Sequence, residues 1–71
     1  MRYIMIEEVG AYENDGHRHQ IEVVLRVNDN SYIILVDGAF YADASNIAKA
    51  RDEVEDIIRW FGWSRVNRIY A

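Results

Sequence analysis

The residues of this chain whose types could support metal chemistry lie close together between Asp15 and His19. His17 and His19 are its two histidines, and an extended chain directs side chains two residues apart to the same side. With a carboxylate such as Asp15 nearby, two imidazoles can contribute to a zinc, nickel or copper site. A closed site needs a fourth ligand, and the sequence has no other histidine and no cysteine. The pattern therefore favours a solvated loop, and we predict no metal and no cofactor.

A second group of chemically capable residues follows residue 62. Trp63, Arg65, Arg68 and Tyr70 combine positive charge with aromatic rings, which is the combination that binds single-stranded nucleic acid. The rest of the chain opposes this function, because residues 1–58 hold five basic side chains and all twelve acidic ones. This balance disfavours direct binding to nucleic acid or to an anionic membrane, and it favours a partner with a basic surface.

Catalysis is not indicated by any motif. The candidate nucleophiles Ser31, Ser45 and Ser64 lie neither in a nucleophile elbow nor near a histidine in the sequence. A glycine-rich phosphate loop and a paired-carboxylate motif are also missing from the sequence. We predict that the protein is not an enzyme.

Composition predicts one small folded domain spanning residues 1–71. The hydrophobic fraction of 51% is sufficient for a core, and the absence of cysteine suits a reducing compartment. No apolar run has the 18 or more residues of a membrane span, and the first residues do not resemble a signal peptide, so we expect a cytoplasmic protein. Because a domain of 8.3 kDa has a small core, we expect stabilisation from a partner or a second copy.

Alternating apolar residues predict three strands, at residues 3–9, 20–28 and 31–36, with a polar loop at 10–19. A two-residue turn at Asp29 and Asn30 would pair Val27 with Tyr32 and give one wholly apolar sheet face. That face consists of Ile21, Val23, Leu25, Val27, Tyr32, Ile34 and Val36. The opposite face is mixed and includes Val24, Ile33 and Leu35.

Beyond residue 46 the apolar period changes to that of a helix. Six apolar side chains fall within about a third of a helical wheel: Ile47, Ala50, Val54, Ile57, Ile58 and Phe61. Asp43 or Ser45 is the predicted N-cap, and Gly62 is the predicted left-handed residue at the end of the helix.

Two further segments complete the predicted fold. The dipeptide Asp37-Gly38 suggests a turn into a short fourth strand at 39–42 that directs Phe40 or Tyr41 inward, and residues 63–70 form either an edge strand or a packed tail. The predicted fold is therefore α+β: a three- to four-stranded antiparallel sheet packed on one face by a single amphipathic helix, with a last strand as an option.

The outer face of this helix carries the candidate binding residues. Asp52, Glu53 and Asp56 form an acidic strip, and Trp60 lies at its flank, where it either covers the core edge or anchors an interface. Glu13 and Asp15 in the first loop are secondary candidates, and Trp63 is expected to fold back against the sheet.

One stretch resembles a known family. The segment IEVVLRVNDNSYIILVD at residues 21–37, followed by a charged amphipathic helix, resembles the central hairpin of small acidic phage anti-CRISPR proteins that block Cas9. The resemblance implies a cysteine-free α+β protein that occupies a nucleic-acid-binding groove of its effector through clustered carboxylates. A second likeness, of the segment ADASNIAKARDEVEDII at residues 42–58, is to HicB-type antitoxin domains.

These observations lead to two functional hypotheses. The first is a non-catalytic phage or mobile-element protein that inhibits or regulates a larger, nucleic-acid-handling protein or nucleoprotein through its acidic surface. The second is a structural or regulatory module, such as a HicB-like domain, that forms a homodimer through an edge strand and the mixed face with Val24, Ile33 and Leu35.

Overall fold

Five antiparallel strands form one sheet in the order β4-β3-β2-β1-β5, and one helix packs on one of its faces. The structure, a computed structural model, describes the backbone of residues 2–70 and the side chains of residues 2–64. The elements are β1 (Tyr3–Tyr12), β2 (Arg18–Arg26), β3 (Ser31–Val36), β4 (Ala39–Ala44), α1 (Ile47–Phe61) and β5 (Ser64–Tyr70). The predicted α+β class and the single helix on one sheet face are confirmed, and residues 64–70 form the edge strand beside β1.

The core lies between α1 and the predicted apolar face of the sheet. Val54 and Ile57 of the helix are buried against Ile21, Val23 and Ile34. Tyr32 and Val36 pack at the margin of this core, as predicted. Val27 does not belong to it, because the chain leaves β2 at residue 26 and Val27 lies exposed in the following turn.

The β2–β3 turn is two residues longer than predicted. Leu25 pairs with Tyr32, so residues 27–30 form the turn. Asp29 explains this choice, because its Oδ1 accepts hydrogen bonds from the Ser31 amide at 3.1 Å and the Ser31 hydroxyl at 2.7 Å. The Arg26 Nη2 atom lies 3.1 Å from Asp29 Oδ2. Since side chains alternate with a period of two, this offset by two residues leaves the side chains that remain in β2 and β3 on their predicted faces.

β4 is longer than predicted and does not direct an aromatic side chain into the core. Ala42 and Ala44 pack against the core, on the side of β4 that contacts the helix. The turn at residues 37–38 pairs Val36 with Ala39, so Phe40 lies opposite Leu35, on the other face of the sheet. The register shift between Ile34 and Leu35 then places Ala42, and not Tyr41, opposite the buried Ile34. The prediction that Phe40 or Tyr41 points inward is therefore wrong, and both rings are exposed.

Specific caps mark both ends of α1. The N-cap is Asn46, whose Oδ1 accepts a hydrogen bond from the Lys49 amide at 2.8 Å, so neither predicted cap is used. Asp43 still belongs to β4 and pairs with Ile33. At the other end Gly62 adopts a φ of 73°, as predicted, and the amide of Trp63 donates to the Ile58 carbonyl at 3.0 Å.

A carboxylate of β1 lies in the core, next to a bulge in that strand. The β1–β2 register shifts between Met5 and Glu7, so that Ile4 faces Leu25 whereas Glu7 faces Val23. Glu7 is completely buried, and its Oε1 accepts a hydrogen bond from Arg51 Nε of α1 at 2.5 Å. This ion pair joins the helix to β1.

The described part of the chain contains no helix with the length and hydrophobicity needed to cross a lipid bilayer.

Candidate functional site

A groove runs along the exposed side of α1, beside β4. It has a volume of about 490 Å³ and is lined by Tyr41, Glu53, Asp56, Ile57, Arg59 and Trp60. We call it the Trp60 groove, because Trp60 is 81% exposed and lines it. Trp60 therefore does not fold over the core edge, and of the two roles considered from the sequence its position suits the interface anchor.

Three of the four predicted helix residues line this groove, and the fourth lies next to it in the sequence. Glu53, Asp56 and Trp60 line the groove, and Asp52 is exposed on the same helix. Arg59 Nη1 donates a 3.0 Å hydrogen bond to Asp56 Oδ1, so the charge of Asp56 is partly compensated. Among the side chains that the structure describes, no ion pair involves Asp52 or Glu53, which leaves their charges available to a basic ligand.

Glu13 and Asp15, the two secondary candidates, lie at the end of α1 rather than in the Trp60 groove. They border a second groove, which we call the loop groove, of about 280 Å³ lined by Glu13, Asn14, Asp15, Phe61, Gly62 and Trp63. Asp15 is engaged in the turn, because its Oδ1 accepts the His17 amide at 2.9 Å. Glu13 points instead to His19.

His19 lies between two carboxylates. Its Nδ1 is 2.6 Å from Asp37 Oδ2, and its Nε2 is 2.6 Å from Glu13 Oε2. The hydrogen bond to Asp37, followed in size by that to Glu13, raises the pKa of His19 above its ordinary value of 6.5. The same contact with His19, together with the Gln20 amide, lowers the pKa of Asp37. We call Glu13, His17, His19 and Asp37 the His19 cluster.

Asp37 is the member of this cluster that the sequence did not reveal. It was assigned to a turn with Gly38, and it does occupy one, with a positive φ of 52°. Its separation of 18 residues from His19 hides the contact, which arises only because β2 and β3 are neighbours and Ile21 pairs with Val36 at that end.

Stacked aromatic rings connect the two grooves. The rings of His19 and Trp63 stack with centroids 4.0 Å apart, and those of Trp63 and Phe61 stack at 4.7 Å. Phe61 also meets the edge of Tyr41, which lines the Trp60 groove. Trp63 packs against the core margin, as predicted. The proposed acidic residues therefore flank a continuous aromatic surface.

The sheet face opposite the helix carries a different kind of surface. A groove of about 380 Å³ is lined by Tyr3, Val24, Ile33, Leu35 and Phe40, and we call it the open-face groove. Phe40 is 63% exposed there. Val24, Ile33 and Leu35 are the residues that the sequence placed on the mixed face.

Of the basic and aromatic residues that follow residue 62, only Trp63 lies among the described side chains. The side chains of Arg65, Arg68 and Tyr70 lie outside the described residues, and Trp63 stacks on His19.

Comparison of the chain with protein-family models, with curated proteins and with solved structures finds no match.

Proposed function

We propose that the protein is a non-catalytic binding module whose Trp60 groove recognises a basic surface on a larger protein or nucleoprotein. The exposure of Trp60 carries this proposal. Tryptophan is enriched among the residues that dominate binding energy, and here it stands beside a groove and a second exposed ring, that of Tyr41.

The energy that Trp60 can contribute is large for one side chain. A tryptophan buries up to roughly 200 Å² when fully covered. With 81% of the side chain exposed, complete coverage by a partner would remove roughly 160 Å² from water, worth about 4 kcal/mol before the costs of association. One such anchor can account for much of the affinity of a small interface.

The acidic residues around Trp60 define the chemistry of the partner. Glu53 places negative charge in the lining of the Trp60 groove, the exposed Asp52 adjoins it in the sequence, and the chain as a whole has a net charge of -4. Rim charges of this kind accelerate association with a basic surface and make binding sensitive to salt. Basic surfaces are typical of nucleic-acid-handling proteins, and the resemblance of residues 21–37 to anti-CRISPR hairpins supports an effector of this class, inhibited or regulated by the bound protein.

Two alanine variants of exposed aromatic residues test the proposal. The wild type, W60A and F40A would be immobilised and exposed to extract of the native host, and retained proteins would be quantified by mass spectrometry. Phe40 is the matched control, because it is also exposed but lies on the opposite side of the sheet. We expect a partner that F40A retains and that W60A binds at least about 30-fold more weakly. Equal retention by W60A of everything that the wild type retains would contradict the proposal.

Charge reversal tests the second half of the proposal. In D52K/E53K the affinity for that partner should fall, and its dependence on salt concentration should become shallower than in the wild type. If the salt dependence is unchanged, Asp52 and Glu53 do not contribute to binding, and only the proposed role of Trp60 stays.

The open-face groove favours a second candidate function, assembly of two copies of this chain. The apolar lining of this groove is continuous across β1, β2, β3 and β4, as in a sheet face that another sheet covers. Light scattering at micromolar concentration would then give twice the monomer mass of 8.3 kDa. F40E should return the protein to a monomer while W60A remains dimeric, and a wild type that is monomeric throughout would exclude this candidate.

A further inference from the structure

Three potential metal ligands converge at the turn end of the β1–β2 hairpin. Ligand atoms of Glu13, His17 and His19 all lie within 4.8 Å of one another. Two imidazoles and one carboxylate are a ligand set that zinc uses in mononuclear sites, where a fourth position stays open to water. We infer that Glu13, His17 and His19 form a solvent-facing site for a divalent transition-metal ion of the zinc type.

The hairpin turn fixes the spacing of these ligands. The Glu13 amide donates to the His17 carbonyl at 2.8 Å, and the Gly16 amide donates to the Glu13 carbonyl at 2.9 Å. Gly16 makes this turn with a φ of 91°, which other residues adopt only with strain. Glu13 and His17 are thereby held opposite each other, and His19 follows two residues later on the same side of the extended chain.

Asp37 supplies the outer-shell contact that metal-binding histidines generally make. Such a histidine donates its second ring N–H to a carboxylate or carbonyl, which sets the tautomer and the orientation of the ring. The Nδ1 atom of His19 lies 2.6 Å from Asp37 Oδ2, so Nε2 is the nitrogen that faces Glu13, and a metal ion would replace the proton of the Nε2–Glu13 hydrogen bond. Stacking on Trp63, at 4.0 Å and an interplanar angle of 8°, also holds the imidazole plane.

Metal binding requires only small movements of exposed side chains. Two ligands of a tetrahedral zinc ion stand about 3.3 Å apart, whereas His19 Nε2 and Glu13 Oε2 are 2.6 Å apart. The Glu13 side chain is 42% exposed and can rotate outward, so that the ion takes the place between its carboxylate and the ring. The exposed His17 ring, whose centroid is 5.1 Å from that of His19, turns inward.

The ligand set also selects the kind of ion. Imidazole nitrogens suit zinc, nickel and copper, whereas magnesium and calcium prefer oxygen ligands alone. The structure assigns the carboxylate ligand to Glu13, not to Asp15, because the Asp15 carboxylate accepts the His17 amide within the turn. This assignment is independent of the Trp60 groove and of any partner.

Calorimetric titration with zinc chloride at pH 7.5 tests the site. The wild type should bind one ion per chain saturably, and E13Q and H17A should each bind at least about 10-fold more weakly. D15N is the matched control: asparagine retains the oxygen that accepts the His17 amide and removes one negative charge, so we expect its affinity to stay within about 2-fold of wild type. No saturable binding by the wild type, or wild-type affinity in E13Q and H17A, would overturn the inference.

A spectroscopic measurement locates the ion without relying on affinity. In a W60F background Trp63 is the remaining tryptophan, and it stacks on His19. One equivalent of nickel chloride should quench the fluorescence of Trp63. Adding H17A to the W60F background should weaken this quenching, while the far-ultraviolet circular dichroism spectrum of W60F/H17A matches that of W60F. If nickel quenches Trp63 fluorescence equally in W60F/H17A and in W60F, the site does not include His17.

Discussion

Replacing Arg51 by methionine should strongly destabilise the fold, because it removes the cation paired with the buried Glu7 carboxylate. The two side chains join β1 to α1 through the hydrogen bond from Arg51 Nε to Glu7 Oε1. Methionine retains most of the length of the side chain and has a similar helix propensity, so the substitution changes chiefly the charge and the donor groups.

The structure sets the expected magnitude. Two unit charges 4 Å apart attract each other by about 4 kcal/mol at an effective dielectric constant of about 20. Removing one partner of a fully buried pair costs about 3–5 kcal/mol, and because Arg51 is 41% exposed we expect the lower limit, about 3 kcal/mol. For a domain of this size, with a urea slope of about 1 kcal/mol/M, the midpoint of unfolding should fall by about 3 M.

Urea unfolding monitored by circular dichroism measures this change. R59M is the matched control. Arg59 is also a helix arginine in an ion pair, but it and its partner Asp56 are both largely exposed. We expect R59M to stay within about 0.5 kcal/mol of the wild type. If R51M is too unstable to give a folded baseline, R51K provides an intermediate, because lysine keeps the charge but not the guanidinium geometry.

A double variant separates the charge from the packing. In E7M/R51M neither the buried carboxylate nor the Arg51 cation remains, and apolar replacement of both partners of a buried pair is often neutral. We therefore expect E7M/R51M to be clearly more stable than R51M alone. Equal destabilisation by R51M and R59M would contradict a stabilising role of the Arg51–Glu7 pair. An E7M/R51M variant no more stable than R51M would contradict it as well.

Two further predictions concern the ends of elements. N46A should lower the free energy of unfolding by about 1 kcal/mol, because it removes the side-chain acceptor of the Lys49 amide. N46S should recover most of this loss, as measured by urea unfolding. Equal stability of wild type, N46A and N46S would contradict the assignment of Asn46 as the N-cap. Hydrogen bonds from Ser31 and then from Arg26 lower the pKa of Asp29 from 3.8 to about 2. The ionised Asp29 carboxyl therefore contributes stability above pH 3.8 that disappears as the pH falls through 2. The stability difference between wild type and D29N, measured by thermal unfolding, should shrink over this interval, and a constant difference would contradict it.

The sequence was sufficient for the parts of the fold that depend on periodicity. The apolar period identified α1 and the core face of β2 and β3, and even the register error of two residues left the faces correct. Periodicity failed where a bulge changes the alternation. The bulge between Met5 and Glu7 puts Ile4 on the same face as Glu7, and the irregularity next to Leu35 places Ala42 instead of Tyr41 opposite the buried Ile34.

One candidate site could be predicted from local spacing in the sequence, and the other could not. The helical acids and Trp60 could be assigned to the outer face from their spacing alone, because an amphipathic helix leaves few alternatives for a polar position. The His19 cluster could not, since Asp37 approaches His19 only through the pairing of β2 with β3. The carboxylate nearest in sequence, Asp15, is occupied by the turn, and the more distant Glu13 takes its place.

Photo-cross-linking from position 41 is the most direct test of the proposed binding surface, because Tyr41 lines the Trp60 groove and its replacement leaves Trp60 in place. A photoreactive phenylalanine analogue would replace Tyr41 in one protein and Phe40 in a second, and both would be irradiated in the native host. We predict cross-links from position 41 to one larger protein, prevented by excess unlabelled wild type but not by excess W60A. Cross-links to another protein from position 40, with none from position 41, would contradict the proposed surface.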